Sequence, residues 1–383
     1  MKKKIHTLYN LLKRVTAPSL SGRVRGESVY FYHTQDTERI LREWQEGLYP
    51  GHLLYGATHL PKYGVEVIPH LYKPFYDNRL KLTLLTAWRI LTCGKKYDAL
   101  YATSFRGIEG LIFLRALGLY REPIVIWHHQ PIVEAKGWFR ERVSRLFYRG
   151  IDHMFFFSQQ LVDESLKSSK AKKEKLQVVP WGPDLEFYDH VLKEGQQRSG
   201  FISTGKEQRD LPTLIEAFSR VEKARLTMYI NEKTGDLDYT KVLKGVSVPK
   251  NVDIHVIHRL MIGELAQIVN QAECITICCR KSNYTVGLTT LVEALALGTP
   301  VITTRNATFP YDVDKEGVGI SVPYYDVDAW ENALRYLLEH PEDVQKLGRN
   351  ARALAESKFN LENTSKTIAD ALLKLRMKKE ESW

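Results

Sequence analysis

The chain is poor in cysteine: Cys93, Cys274, Cys278 and Cys279 are the only four in 383 residues. They form no C-x-x-C pair and no histidine pattern accompanies them, so neither a zinc site nor a disulfide framework is expected. Such usage suits a reducing compartment. No run of about 18 uncharged apolar residues occurs either, which leaves no candidate for a spanning helix. The N-terminal lysines look like the start of a secretory signal, but His6, Asn10, Lys13 and Arg14 interrupt what would have to be its apolar segment. These absences point to a cytoplasmic protein that can touch a membrane surface without crossing it.

Acidic residues are missing from the start of the chain. Lys2, Lys3, Lys4, Lys13, Arg14, Arg23 and Arg25 all precede Glu27, and they account for seven of the ten net positive charges. The body is close to neutral, so a nucleic-acid partner, which needs a basic stripe with interleaved aromatics, is not expected. With 44% hydrophobic and 26% charged residues, the length suits about two domains, each with its own core.

Short β-branched or aromatic runs alternate with longer amphipathic stretches, the pattern of βα units on a parallel sheet. Strands are expected at 29–33, 65–69, 99–103, 124–127, 153–157 and 176–180, with helices over 52–62, 80–91, 107–117 and 137–149 among the connections. The stretch 193–200 turns polar, and the alternation then restarts at 201–204, 226–230, 252–257, 274–278, 300–303 and 319–322. The expected architecture is α/β, two Rossmann-like domains at 1–192 and 201–360 facing across a cleft. A last helix at 361–383 would pack back on the first domain. In such sheets ligands sit beyond the carboxyl ends of the strands.

The segment NYTVGLTTLVEALALGTPVITT (283–304) puts a glycine-containing loop ahead of a helix start at Gly287, Leu288, Thr289 and Thr290. Unpaired N–H groups there make a cradle for phosphate. Glu293 follows on an otherwise apolar stretch, where a carboxylate needs a hydrogen-bonding partner; either vicinal ribose hydroxyls or a structural group would serve. A second loop, in FISTGKEQRDLPTLIEAF (201–218), carries Gly205, Lys206 and Arg209 where cations can meet a diphosphate. Two basic amphipathic stretches complete the picture: Ile5, Leu8, Tyr9 and Leu12 among the N-terminal cations, and WFRERVSRLFYR at 138–149.

The runs TGKEQRDLPTLIEAF and GLTTLVEALALGTPVITT, with SQQLVDESL and VVPWGPDLEFYD before them, resemble group 1 (family 4) glycosyltransferases, retaining enzymes of the GT-B fold. The likeness covers most of 150–380, and more loosely YPGHLLYGATHLPKYGVEV and PIVIWHHQ. It implies transfer of a sugar from a nucleotide-diphosphate donor to a glycan or lipid-linked acceptor, with retention, in cell-surface polysaccharide or glycolipid synthesis. By the same resemblance Lys206 and Arg209 grip the diphosphate, Glu293 holds the donor ribose, and His129, with His128 as the alternative, lies near the sugar carbon under attack. No metal and no cofactor beyond the donor is implied. The first glutamate of the family's E-x7-E element falls on Thr285. That departure keeps a second class open, a nucleotide-sugar-binding protein of the same fold without full catalysis. An anionic membrane surface is the further partner that the basic stretches suggest.

Overall fold

A computed structural model of the protein describes residues 27–75, 77–192, 197–234, 237–257 and 262–380, with side chains through Met377. The N-terminal basic segment with Ile5, Leu8, Tyr9 and Leu12 lies outside these residues, as does part of the polar stretch at 193–200.

Two six-stranded parallel sheets organise the chain. The first is built from β1 (Glu27–Tyr32), β2 (Val65–Pro69), β3 (Ala99–Ala102), β4 (Ile124–Trp127), β5 (His153–Phe156) and β6 (Leu176–Val178), in the order β2-β1-β3-β4-β5-β6. The second contains β7 (Phe201–Ser203) and β8 (Leu226–Ile230), then, after a small antiparallel hairpin of β9 (Lys233–Thr234) and β10 (Leu237–Asp238), β11 (Val252–Val256), β12 (Cys274–Ile277), β13 (Val301–Thr304) and β14 (Gly319–Val322). Its order is β11-β8-β7-β12-β13-β14. Helices cover both faces, so central strands such as IVIW of β4 and CITI of β12 are buried throughout and read as continuous apolar runs.

The helix expected over 52–62 is instead two single 3-10 turns, Gly51–Leu54 and Leu60–Tyr63. Tyr55 and Gly56 between them have φ of 52° and 82°, left-handed values that no continuous helix accepts. Gly56 has a reason to be glycine, because a Cβ there would come 2.9 Å from Ile368 Cδ1 on the C-terminal helix Leu361–Glu380. The Ser365 hydroxyl of that helix also meets the Gly56 carbonyl at 3.1 Å.

The chain crosses between the sheets at 180–192 and crosses back near Phe359, and the two passages touch. A Cβ on Gly182 would lie 2.0 Å from the Phe359 carbonyl carbon and 2.2 Å from Asn360 N. Leu361 N donates to Pro183 O at 2.8 Å, and the Thr364 hydroxyl donates to Pro180 O at 2.9 Å. The Asp184 carboxylate then fixes the first domain's loop by accepting from Gly51 N at 2.7 Å. Gly182→Ala should therefore force backbone against backbone and cost about 3 kcal/mol or more in a urea titration. A loss under about 0.5 kcal/mol would mean that the passages can separate freely.

Candidate functional site

β7 and β12 are neighbours in the second sheet, so their carboxyl ends place the loop 204–210 beside the loop 278–287. The helix Leu288–Leu297 begins after Gly287, whose φ is 89°, and no side chain caps it. The N–H groups of its first turn lack intrahelical acceptors and carry the positive end of the helix dipole. Leu288 and Thr290 are buried, whereas Thr289 is exposed.

Arg209 does not stand out as a free cation at this edge. Its side chain folds back over Gly205, at φ 106°, where a Cβ would lie 1.9 Å from Nη2. The guanidinium donates to Thr204 O at 2.9 Å, Glu207 O at 3.0 Å, Cys279 Sγ at 3.2 Å and Thr290 Oγ1 at 3.1 Å. Only 3% of the residue is exposed. Direct grip of a diphosphate was the expectation; in this structure the arginine is first of all a strut between the loop and the helix start. Gly205 admits that strut. Lys206 is the exposed cation of the loop. Buried Tyr239, which motif spacing gave no reason to notice, closes the loop: its hydroxyl donates to Lys206 O at 2.9 Å and accepts from Arg209 N at 2.9 Å.

Glu293 is 8% exposed, and its carboxyl group has no protein hydrogen-bond partner among the described residues. Burial alone pushes its pKa from the ordinary 4.5 up to about 8. The phenol of Tyr188, on the crossing segment, is within electrostatic reach.

Across the cleft, β4 ends in two histidines that strand alternation sends apart. His128 turns into the helix layer, where Nδ1 meets the Gln130 carbonyl and Nε2 accepts from the Tyr148 hydroxyl at 2.9 Å. His129 packs on Tyr55 and Phe157, with Nε2 2.8 Å from Thr103 O. A carbonyl only accepts, so Nε2 carries the hydrogen, and Nδ1 of the neutral ring is the lone pair that remains. Burial lowers the His129 pKa, opposed by the Thr103 hydrogen bond and by the Glu207 carboxylate. Thr285 offers no charge; its hydroxyl donates to Thr308 O at 3.3 Å.

Residues 184–354 match the family model of glycosyl transferases group 1. That segment, the greater part of the second domain, is similar to the group 1 glycosyltransferases. The chain is 26% identical over 314 residues to the MMP alpha-(1->4)-mannosyltransferase of Mycolicibacterium hassiacum, spanning 74% of this chain and 73% of that protein. It is 21% identical over 252 residues to the D-rhamnosyltransferase WbpZ of Pseudomonas aeruginosa, spanning 61% and 62%. The solved structure of Anabaena Alr3699/HepE in complex with UDP and glucose superposes with a TM-score of 0.62 at 15% identity, over 91% of this chain and 99% of that one. WaaG, a glycosyltransferase involved in lipopolysaccharide biosynthesis, gives a TM-score of 0.56 at 16% identity, over 90% and 99%. The fold is GT-B.

The raised Glu293 pKa has a measurable consequence. The unfolded chain ionises the residue near pH 4.5, while the folded one keeps the proton until about 8, so stability falls as pH rises through that window. Glu293→Gln has no proton to lose. The melting temperature of the variant relative to the parent should therefore climb between pH 5 and 8.5, by the equivalent of a few kcal/mol at most. A flat difference would show a carboxylate already ionised in the folded protein.

Proposed function

We propose that the protein moves a hexosyl or related sugar from a nucleotide-diphosphate donor to a hydroxyl of a glycan or lipid-linked acceptor, with retention of anomeric configuration, in the building of a cell-surface glycan. The observation that carries this reading is Glu293. It is a buried carboxyl group without a protein partner, about a turn and a half inside an uncapped helix start, beside a loop that exposes Lys206. Ribose hydroxyls would donate to that carboxylate while the diphosphate meets the helix N–H groups and Lys206. Arg209 ties the loop to the helix start through Thr204 O, Glu207 O, Cys279 Sγ and Thr290 Oγ1. The mannosyl and rhamnosyl relatives support a hexose-type donor.

The transfer follows from the charges the site can balance. The acceptor oxygen bonds to the anomeric carbon on the face from which the diphosphate departs, the bond from that carbon to the phosphate oxygen breaks, and the acceptor proton passes to the leaving phosphate. Lys206 and the helix start offset the negative charge that grows on the diphosphate. His129 Nδ1 accepts from a hydroxyl of the transferred sugar and fixes its orientation.

Two measurements test this. Lys206→Ala should weaken a nucleoside diphosphate in calorimetry by about 1.5–3 kcal/mol and the bare nucleoside hardly at all, because only the former carries the charge. Equal losses for both would remove Lys206 from the diphosphate. Glu293→Gln should weaken both ligands by about 1–3 kcal/mol, since both carry the ribose. Anomeric configuration of the product, read by NMR from a panel of nucleotide sugars, decides retention; binding without any transfer or hydrolysis would favour the catalytically impaired class.

A further inference from the structure

The excursion between β8 and β11 delivers one buried hydroxyl to the loop that follows β7. The hairpin of β9 and β10 turns the chain back on itself, and Tyr239 N donates to Glu232 O at 2.9 Å, just past the end of β8. A short helix, Tyr239–Leu243, starts there, with the Asp238 carboxylate accepting from Lys241 N at 3.2 Å. This return sets the Tyr239 ring into the apolar core of the second domain, in one cluster with Leu211 and Ile230, where the residue is wholly buried. Because β8 pairs with β7, the oxygen at the far end of the ring arrives at the loop carrying Lys206 and Arg209.

Most peptide groups of that loop are held from other directions. The Thr204 and Glu207 carbonyls accept from the Arg209 guanidinium, Gln208 O accepts from Arg280 N at 2.8 Å, and Asp210 N donates to Cys278 O at 3.0 Å. Gln208 sits among these bonds in the left-handed region, with φ of 50°. The Lys206 carbonyl uses none of these groups. Its only donor among the described residues is the Tyr239 hydroxyl, so one phenol fixes the peptide plane after Lys206 and with it the direction in which the lysine side chain leaves the backbone. The same oxygen accepts from Arg209 N, joining the backbone on both sides of Gln208. Burial raises the Tyr239 pKa, so the hydroxyl keeps the proton that it donates. Phenylalanine would fill the core as well; only the oxygen serves the loop.

We propose that Tyr239 is a positioning residue for the donor diphosphate: its hydroxyl holds the loop so that the exposed Lys206 ammonium, which has no partner among the described residues, stands where it meets the phosphate charge. Tyr239 touches no ligand and acts through Lys206. This role rests on the proposed meeting of Lys206 with the diphosphate. Only the charged part of the donor should feel the loss of the hydroxyl, because the ribose meets Glu293 instead.

Calorimetry on the full chain uses the common nucleoside diphosphate that the parent binds most tightly, with the matching nucleoside beside it. Tyr239→Phe keeps the ring in the core and should weaken the diphosphate by about threefold to tenfold, the range for one hydrogen bond, while leaving the nucleoside unchanged. With Lys206→Ala already in place, the same substitution should cost under about twofold, since the group it positions is gone. Trp330→Phe, in the same core cluster and equally buried, should lower the melting temperature without changing diphosphate affinity, which separates positioning from loss of stability. The proposal is overturned if Tyr239→Phe binds the diphosphate like the parent, if it weakens the nucleoside equally, if its cost is the same with and without Lys206, or if Trp330→Phe weakens the diphosphate as much. Insensitivity to Lys206→Ala removes the donor reading and this role together. Sensitivity to Lys206→Ala without sensitivity to Tyr239→Phe removes this role alone.

Discussion

The contact on which the rest depends is the crossing of two chain passages at Gly182 and Phe359–Asn360. There is no room for a side chain at Gly182; the second passage donates to the first through Leu361 N and the Thr364 hydroxyl, and Gly182 N of the first donates back to Thr364 Oγ1 at 3.2 Å. Because the crossing joins the two sheets at one edge, it sets how far apart their carboxyl ends stand. The same passage then reaches both walls. Asp184 accepts from Gly51 N in the first domain, and Tyr188 lies near Glu293 in the second. A change of angle at the crossing is thus felt at the cleft on both sides.

The site is electrostatically lopsided. One wall offers an uncapped helix start and the exposed Lys206, while the other offers neutral imidazole and aromatic rings around His129. On the function proposed above, a charged ligand end would be held at the first and an uncharged end at the second. Glu293 is the exception, and burial favours its protonated form near neutral pH.

Much of the fold was legible because strands buried on both faces leave apolar runs that little else explains. The strands at 65–69, 124–127, 226–230 and 319–322 have the expected bounds. The segment 52–62 misled because its apolar spacing imitates a helix, while the left-handed turn at Tyr55 and Gly56 is imposed by a helix 300 residues later. The order of the two histidines at the end of β4 needed only alternation plus an anchor, and the anchor is Thr103 O on the neighbouring strand's end. Nothing in the loop spacing could show that Arg209 turns inward: Tyr239 and Cys279, distant in sequence, supply the contacts that decide it.

The packing of Gly56 against Ser365 and Ile368 has a consequence for biosynthesis. The loop carrying Tyr55 is synthesised well before the surface that holds its left-handed turn, which lies 309 residues further along the chain. The first sheet can assemble while translation continues. The loop at Tyr55 and Gly56 lacks its packing partner until the helix Leu361–Glu380 has been made, so the first sheet can form its hydrogen bonds before this loop takes its final shape.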